Sequence, residues 1–246
     1  MLFNLFKKKP KEPEIDFSTI RTDMHSHIIP GIDDGAKDIH DSIELAKRFI
    51  DLGYRKLIAT PHIMADFYRN TPDTINRGLD RLREALQANN IDLEVDAAAE
   101  YYLDEAFLNK LARKEILSFG NNYLLFELSY INPPSNLTDI LFKIQDAGFY
   151  PVLAHPERYS FYHGSIENYL QIKERGCLFQ LNTIALTGYY GKGSKKIAEE
   201  LVDHNCIDFL GSDMHHTRHA DALKASLFSP HVAKLINSSQ LSNILL

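Results

Sequence analysis

From about residue 20 onward, short apolar runs alternate with stretches whose apolar residues recur every three or four positions. The first pattern predicts buried strands and the second amphipathic helices, at roughly thirty-residue intervals, the rhythm of βα units. A strand near 20–24 precedes a helix over 39–52, which Gly53 stops. KLIAT leads to His62, and a helix over 72–89 opens with Thr71 as N-cap and Pro72 in the first helical position. IDLEVDAAAE precedes a helix over 104–113, and YLLFEL one over 137–147, ending before Gly148. YPVLAH precedes a helix over 165–175, and CLFQLN one over 193–204. IDFLGSD is the seventh strand, with helical sequence over 219–228 and 231–243 behind it.

Right-handed crossovers would make all seven strands parallel, with their carboxyl ends on one face. Their near-continuous hydrophobicity fits burial on both faces. An open doubly wound sheet would alternate in the same way but divide its strand ends about a switch point. Polar residues of metal-binding type stand at six of the seven strand ends, which favours closure into a barrel. The expected class is therefore α/β, with residues 1–19 a flexible tail and 20–246 a single barrel domain.

Composition narrows the choice. The 246 residues are 44% hydrophobic, enough for one well-packed core. A net charge of -6 argues against binding nucleic acid through a broad basic face. No apolar stretch is long enough to span a bilayer. Cys177 and Cys206 adjoin apolar sequence and read as buried free thiols, which fits a reducing cytoplasm. The opening MLFNLFKKKPKEPE is too short in its apolar part for a secretory signal, and its basic residues follow rather than precede. It is either an unstructured tail or a weak anchor through residues 1–11 at the inner face of the membrane. In the second case Leu2, Phe3, Leu5 and Phe6 enter lipid while Lys7, Lys8, Lys9 and Lys11 meet anionic headgroups.

The candidate chemistry lies at the strand ends. His25 and His27 are two apart on a strand and face the same way. His62, Glu100, Glu127, His155, Asp213 and His215 end later runs, and Asp34 follows in the loop PGIDDG. A carboxylate inside LLFEL is costly to bury without a cation. Imidazoles and carboxylates aimed at one point would bind a cluster of divalent metals. His40, His163, His204, His216, His219 and His231 read as helix-end or loop residues, with only His216 and His219 near the site. Arg158 in HPERY and Arg218 in SDMHHTR follow site residues closely, and a guanidinium pairs with phosphate oxygens as a fork. Tyr159, Phe161, Tyr162, Tyr189 and Tyr190 either stack on a substrate ring or pack their own loops. Cysteine-based tyrosine phosphatase chemistry is excluded, because it needs arginine six residues after the cysteine. Those positions hold Thr183 and Ser212.

DMHSHIIPGIDDG, ATPH, AAAEYY, LFELS, LAHPERY and GSDMHH together resemble the PHP (polymerase and histidinol phosphatase) superfamily. More narrowly, they resemble its bacterial manganese-dependent protein-tyrosine phosphatases of capsule and exopolysaccharide systems. That resemblance implies a distorted (β/α)7 TIM-like barrel with a trinuclear metal site. It places His25, His27, Glu100 and Asp213 on a first ion and lets Glu100 bridge to a second held by Glu127 and His155. It places Asp34, His62 and His215 on a third. Arg158, Arg218, Asp34 and His215 are the residues it implies act on the substrate. Manganese is the implied metal, with iron or zinc as alternatives. The implied partner is a phosphotyrosine protein, the tail of a bacterial tyrosine kinase. A histidinol or other small-molecule phosphatase would use the same scaffold, and an inactive metal-binding docking protein is the reading from another class. An amidohydrolase would want a bridging lysine where this chain has Glu127.

Overall fold

Polar residues placed just ahead of the periodic sequence start the early helices. Asp38 accepts from the Asp41 amide at the start of α1 (Ile39–Asp51). Thr71 and Thr74 exchange bonds in a capping box ahead of α2 (Pro72–Ala88), and Asp104 accepts from the Phe107 amide ahead of α3 (Glu105–Ala112). α4 (Leu137–Asp146), α5 (Glu167–Glu174), α6 (Lys192–Asp203), α7 (Thr217–Ser226) and α8 (Pro230–Ile236) complete the α-helices. The computed structural model describes Pro13 and residues 15–246, so the candidate anchor in residues 1–11 lies outside the described residues. Among the described residues no helix is long and apolar enough to cross a membrane.

The strands are β1 (Thr22–Ser26), β2 (Lys56–Ala59), β3 (His62–Ile63), β4 (Glu94–Ala97), β5 (Glu100–Tyr102), β6 (Tyr123–Glu127), β7 (Tyr150–Ala154), β8 (Leu178–Asn182) and β9 (Phe209–Gly211). Every pairing between them is parallel, in the orders β1-β2-β4 and β3-β5-β6-β7-β8-β9. Two of the seven predicted strands are thus broken in two. Between β2 and β3 stands Pro61, which has no N–H for the ladder. Between β4 and β5 the Ala99 amide turns away to the Leu117 carbonyl.

The sheet curls until its first and last strands meet. Ser26 and Met214 form a parallel bridge, flanked by bonds from Asp213 N to His25 O (2.8 Å) and from His27 N to Met214 O (3.0 Å). Below it, buried Asp23 accepts from the Ser212 amide and hydroxyl at 2.8 and 3.0 Å. Burial nonetheless pushes the Asp23 carboxyl up to about 7. Asn243 completes the seam: its Oδ1 accepts from Leu210 N, and its Nδ2 donates to Thr22 O and Leu210 O.

Alternation divides the strands' apolar residues between two faces. Leu57, Leu124, Phe126 and Leu153 join the main core beneath the helices, while Ile58, Leu125, Val152 and Ala154 join a smaller cluster with Met24 and Phe209. The result is a mixed α/β protein with a curled parallel sheet. Two of the shifts from the predicted bounds have a visible cause. β1 begins two residues late because Arg21 holds a left-handed turn (φ 60). The helix expected over 231–243 stops at Ile236, and a 3-10 turn (Ser242–Leu245) presents Asn243 to the seam instead.

Candidate metal centre

The centre starts from a glycine. A Cβ on Gly35 would come within 2.0 Å of the His27 carbonyl oxygen, so only glycine lets the Pro30–Gly35 loop press against β1. That approach carries in two acids. Asp33 Oδ2 accepts from His27 Nδ1 (2.8 Å) and from the His62 amide (3.2 Å), while Oδ1 accepts from the Gly35 amide (3.0 Å). Asp34 points outward, its Oδ1 3.5 Å from Nε2 of both His62 and His215.

All nine residues predicted as ligands gather at the carboxyl ends of the strands. Glu100 is at the middle. Its Oε1 is 3.0 Å from His155 Nε2, and its Oε2 lies 3.1 Å from His62 Nδ1, 3.3 Å from His25 Nε2 and 3.5 Å from His27 Nε2. Glu127 reaches His62 Nδ1 at 3.3 Å and His155 Nε2 at 3.9 Å. Asp213 Oδ1 lies 3.3 to 3.5 Å from His27, His25 and His215. Three groupings have ligand atoms within 4.8 Å of one another: His25–His27–Glu100, His62–Glu100–Glu127 and His27–Asp34–His62–His215. A fourth, Asp38–His40–Asp41 at the start of α1, is largely exposed.

The donor set suits cations. His27 Nδ1 donates to Asp33, and His25 Nδ1 meets the Gln180 carbonyl oxygen at 2.7 Å. In their neutral form, the one that can bind a cation, both rings turn Nε2 lone pairs into the same space, 3.4 Å apart. Glu100 Oε2 and His62 Nδ1 are buried without a well-directed hydrogen bond. Such spacings are those of atoms sharing an ion through bonds of about 2.0–2.2 Å.

Electrostatics point the same way. Burial would discharge the His62 ring, but Glu100 and Glu127 raise it to about 10. His27 is held well above its ordinary value, against burial, by Asp33, Asp213 and Glu100. Burial would raise Glu100 and Asp213, yet surrounding imidazoles, His25 foremost, pull both well below the usual carboxylate range. Protons on imidazoles here compensate buried carboxylates, the office a divalent cation performs better. Two of the candidates, His155 (φ 36) and Asp213 (φ 51), sit in the left-handed region. Non-glycine residues enter it at a cost of about 1–3 kcal/mol, a strain that functional sites can hold.

Above the cluster opens a cavity of about 660 Å³ lined by Tyr130, Ile131, Arg158, Tyr190, His216 and His219 besides the candidate ligands. Arg158 Nη1 donates to Asp213 Oδ2 (3.1 Å), and its guanidinium lies between the rings of Tyr130 and Tyr190, 4.7 and 4.5 Å from their centroids. Arg218 is exposed and lines an adjoining cavity of about 340 Å³ with Lys37, which shares Asp34 and His215 with the first. The two arginines therefore line different, adjoining cavities. Of the five aromatic candidates, Tyr190 lines the larger cavity. Tyr159 is buried instead, its hydroxyl donating to Ala154 O and accepting from Leu128 N.

Sequence reasoning missed Asp33, Gln180, Asn182 and Tyr130. A carboxylate behind a ligating imidazole fixes its tautomer and orientation, and losing one costs metal affinity about 10- to 100-fold. Asp33→Asn is expected to weaken metal binding by that factor in a chelator competition. An asparagine that keeps its oxygen on His27 must turn its NH2 toward the Gly35 N–H. Unchanged affinity would show that Asp33 has no such role.

Fold and site define a class: mixed α/β proteins whose curled parallel sheet gathers, at its carboxyl ends, clusters able to hold metal ions. Within it, the family model described as "Capsular polysaccharide synthesis, CpsB/CapC" matches residues 21–245, and the chain belongs to that family. The tyrosine-protein phosphatase YwqE of Bacillus subtilis is 33% identical over 197 residues, covering 80% of this chain and 78% of that one. The tyrosine-protein phosphatase CpsB of Streptococcus pneumoniae is 28% identical over 200 residues, covering 79% of this chain and 82% of its own. A solved structure, from crystal structures of YwqE and CpsB described as metal-dependent tyrosine phosphatases, matches with a TM-score of 0.81. It is 30% identical and covers 89% of each chain.

Proposed function

We propose that this chain is a metal-dependent protein-tyrosine phosphatase that acts on a phosphotyrosine protein, the tail of a bacterial tyrosine kinase governing capsular or exopolysaccharide synthesis. The observation that carries the reading is the packing of the unpartnered atoms Glu100 Oε2 and His62 Nδ1 against Nε2 of His25 and His27. Family membership and the activity of YwqE and CpsB support the reaction and substrate class. We read residues 20–246 as one distorted (β/α)7 barrel of the PHP type, supported by the parallel order of strands and the bridge from Ser26 of β1 to Met214 just past β9. A cytoplasmic site at the inner face of the membrane fits the proposed partner.

Three divalent ions, manganese rather than iron or zinc, would be held by His25, His27, Glu100 and Asp213, by Glu100, Glu127 and His155, and by Asp34, His62 and His215. Bound there, they would activate a water and neutralise phosphoryl charge. The protein's own groups do the rest. Arg158, partly desolvated between two rings, offers a fork of N–H donors to phosphoryl oxygens as charge shifts in the transition state. Arg218 approaches from the neighbouring cavity, past Asp34 and His215. Tyr130, Ile131 and Tyr190 give the larger cavity an apolar wall that suits a phenyl ring. A phenol leaves with a pKa of about 10, which lessens the need for a strong acid. His215, its Nδ1 fixed on the Asp213 carbonyl at 2.8 Å, keeps Nε2, 3.5 Å from Asp34, for the third ion.

Turnover of a phosphotyrosyl peptide is expected to vanish on chelation with EDTA and to return with manganese, while iodoacetamide leaves it unchanged. Both thiols are buried, and burial raises them further from their reactive form. The reverse pattern would refute the proposal, and faster turnover of histidinol phosphate would redirect it to a small-molecule phosphatase.

A further inference from the structure

β8 is the strand to which the sequence gives no candidate ligand, yet it reaches the heart of the cluster. We infer that Gln180 and Asn182 form a one-way amide relay that runs from Asp213 to the ring of His25 and decides which His25 nitrogen faces the centre. The inference rests on reading the cluster as a metal centre, and it makes these two amides positioning residues for its ligands.

Gln180 and Asn182 are two apart on β8, share a face and are fully buried. A buried amide is costly unless bonded, and its two ends are not interchangeable: the oxygen accepts and the NH2 donates. Asp213 Oδ2 lies 2.7 Å from the Asn182 amide and also takes a bond from Arg158 at 3.1 Å. A carboxylate only accepts, so Asn182 must present its NH2 there and turn its oxygen to Gln180. Gln180 must then donate its own NH2, which it does at 3.0 Å, and turn its oxygen to His25 Nδ1 at 2.7 Å. An independent group checks that orientation. The main-chain N–H of His155 points at the same Gln180 atom from 3.3 Å, and an N–H can only donate, so that atom is the oxygen.

Both ends of the chain thus agree on its polarity. The neutral His25 ring then carries its proton on Nδ1 and turns a bare Nε2 to Glu100 Oε2 and Asp213 Oδ1 at 3.3 and 3.5 Å. Asp213 serves twice, turning Oδ1 into the cluster and anchoring the relay with Oδ2. The space for this is made by Gly211. A Cβ there would lie 2.6 Å from the His25 Cβ and 2.7 Å from the Gln180 amide nitrogen.

The test compares the manganese affinity of the wild type with Gln180→Met, Asn182→Leu and the double variant, by competition against a chromophoric chelator. Each single change is expected to weaken binding about 10- to 100-fold, the usual effect of losing a group behind a metal ligand. Because both break one chain, the double variant should be no weaker than the poorer single one. Losses that multiply, or wild-type affinity in Gln180→Met, overturn the relay. Imidazole nitrogen shifts of the metal-free wild type, read in alkaline solution where the ring is neutral, decide it without any variant. A proton on His25 Nδ1 supports the relay, and a proton on Nε2 refutes it. Wild-type protein that takes up no manganese yet shows the Nδ1 proton would instead remove the metal-centre reading and leave the relay standing.

Discussion

Glu100→Gln is expected to abolish turnover of a phosphotyrosyl peptide, by at least about a thousandfold, or roughly 4 kcal/mol of barrier. Glu100 is completely buried and belongs to two of the three groupings, with four imidazoles within 3.5 Å of its oxygens. Glutamine keeps the shape but removes the charge and points an NH2 at ring nitrogens that must stay free to bind a cation. Elemental analysis of the purified variant should show loss of at least one ion per chain, and circular dichroism would verify that it is folded. Turnover within tenfold of wild type, with a full metal complement, would take Glu100 out of the site.

Arg158→Met is the second large effect. The guanidinium is anchored on Asp213 and held between Tyr130 and Tyr190, at the edge of the cavity where a phosphoryl group would sit. Losing a positioned donor to transition-state charge costs about 10²- to 10³-fold in kcat. The metal content should be unchanged, since Asp213 keeps its bond from Asn182. Arg158→Lys should recover only part of the loss, because an ammonium stacks less well between rings and cannot form the fork. Kinetics on the same peptide would separate the outcomes. A rise in KM with kcat unchanged would make Arg158 a binding residue, and wild-type kcat/KM would make it a bystander.

The strand-end histidines and acids were legible because each closes an apolar run, where a charged group has no bland purpose. Seven of the eight helices were legible to within two residues for the same reason, through periodicity and caps, and α8 was not. Other features left no such trace. Asp33 and Asp34 are consecutive acids in one loop, and only the pressing of Gly35 on His27 decides which supports a ring and which faces the cavity. Gln180 and Asn182 are uncharged and look like ordinary interruptions of a strand. Tyr130 lies in a loop without periodicity and enters the site through its packing against Arg158 and His155. Arg158 and Arg218 each follow a site motif, and their separation into two cavities depends on how a 3-10 turn and α7 leave the sheet.

The seam between β1 and β9 has a consequence for how the protein is made. Asp23 and Ser212, which it joins, are 189 positions apart, and Asn243 locks it from further on still. Contacts that distant form late and slowly. A nascent chain emerging from the ribosome would expose His25 and His27 long before Asp213 exists to face them. Assembly of the full ligand set, and with it the loading of the proposed metal centre, would therefore follow synthesis rather than accompany it.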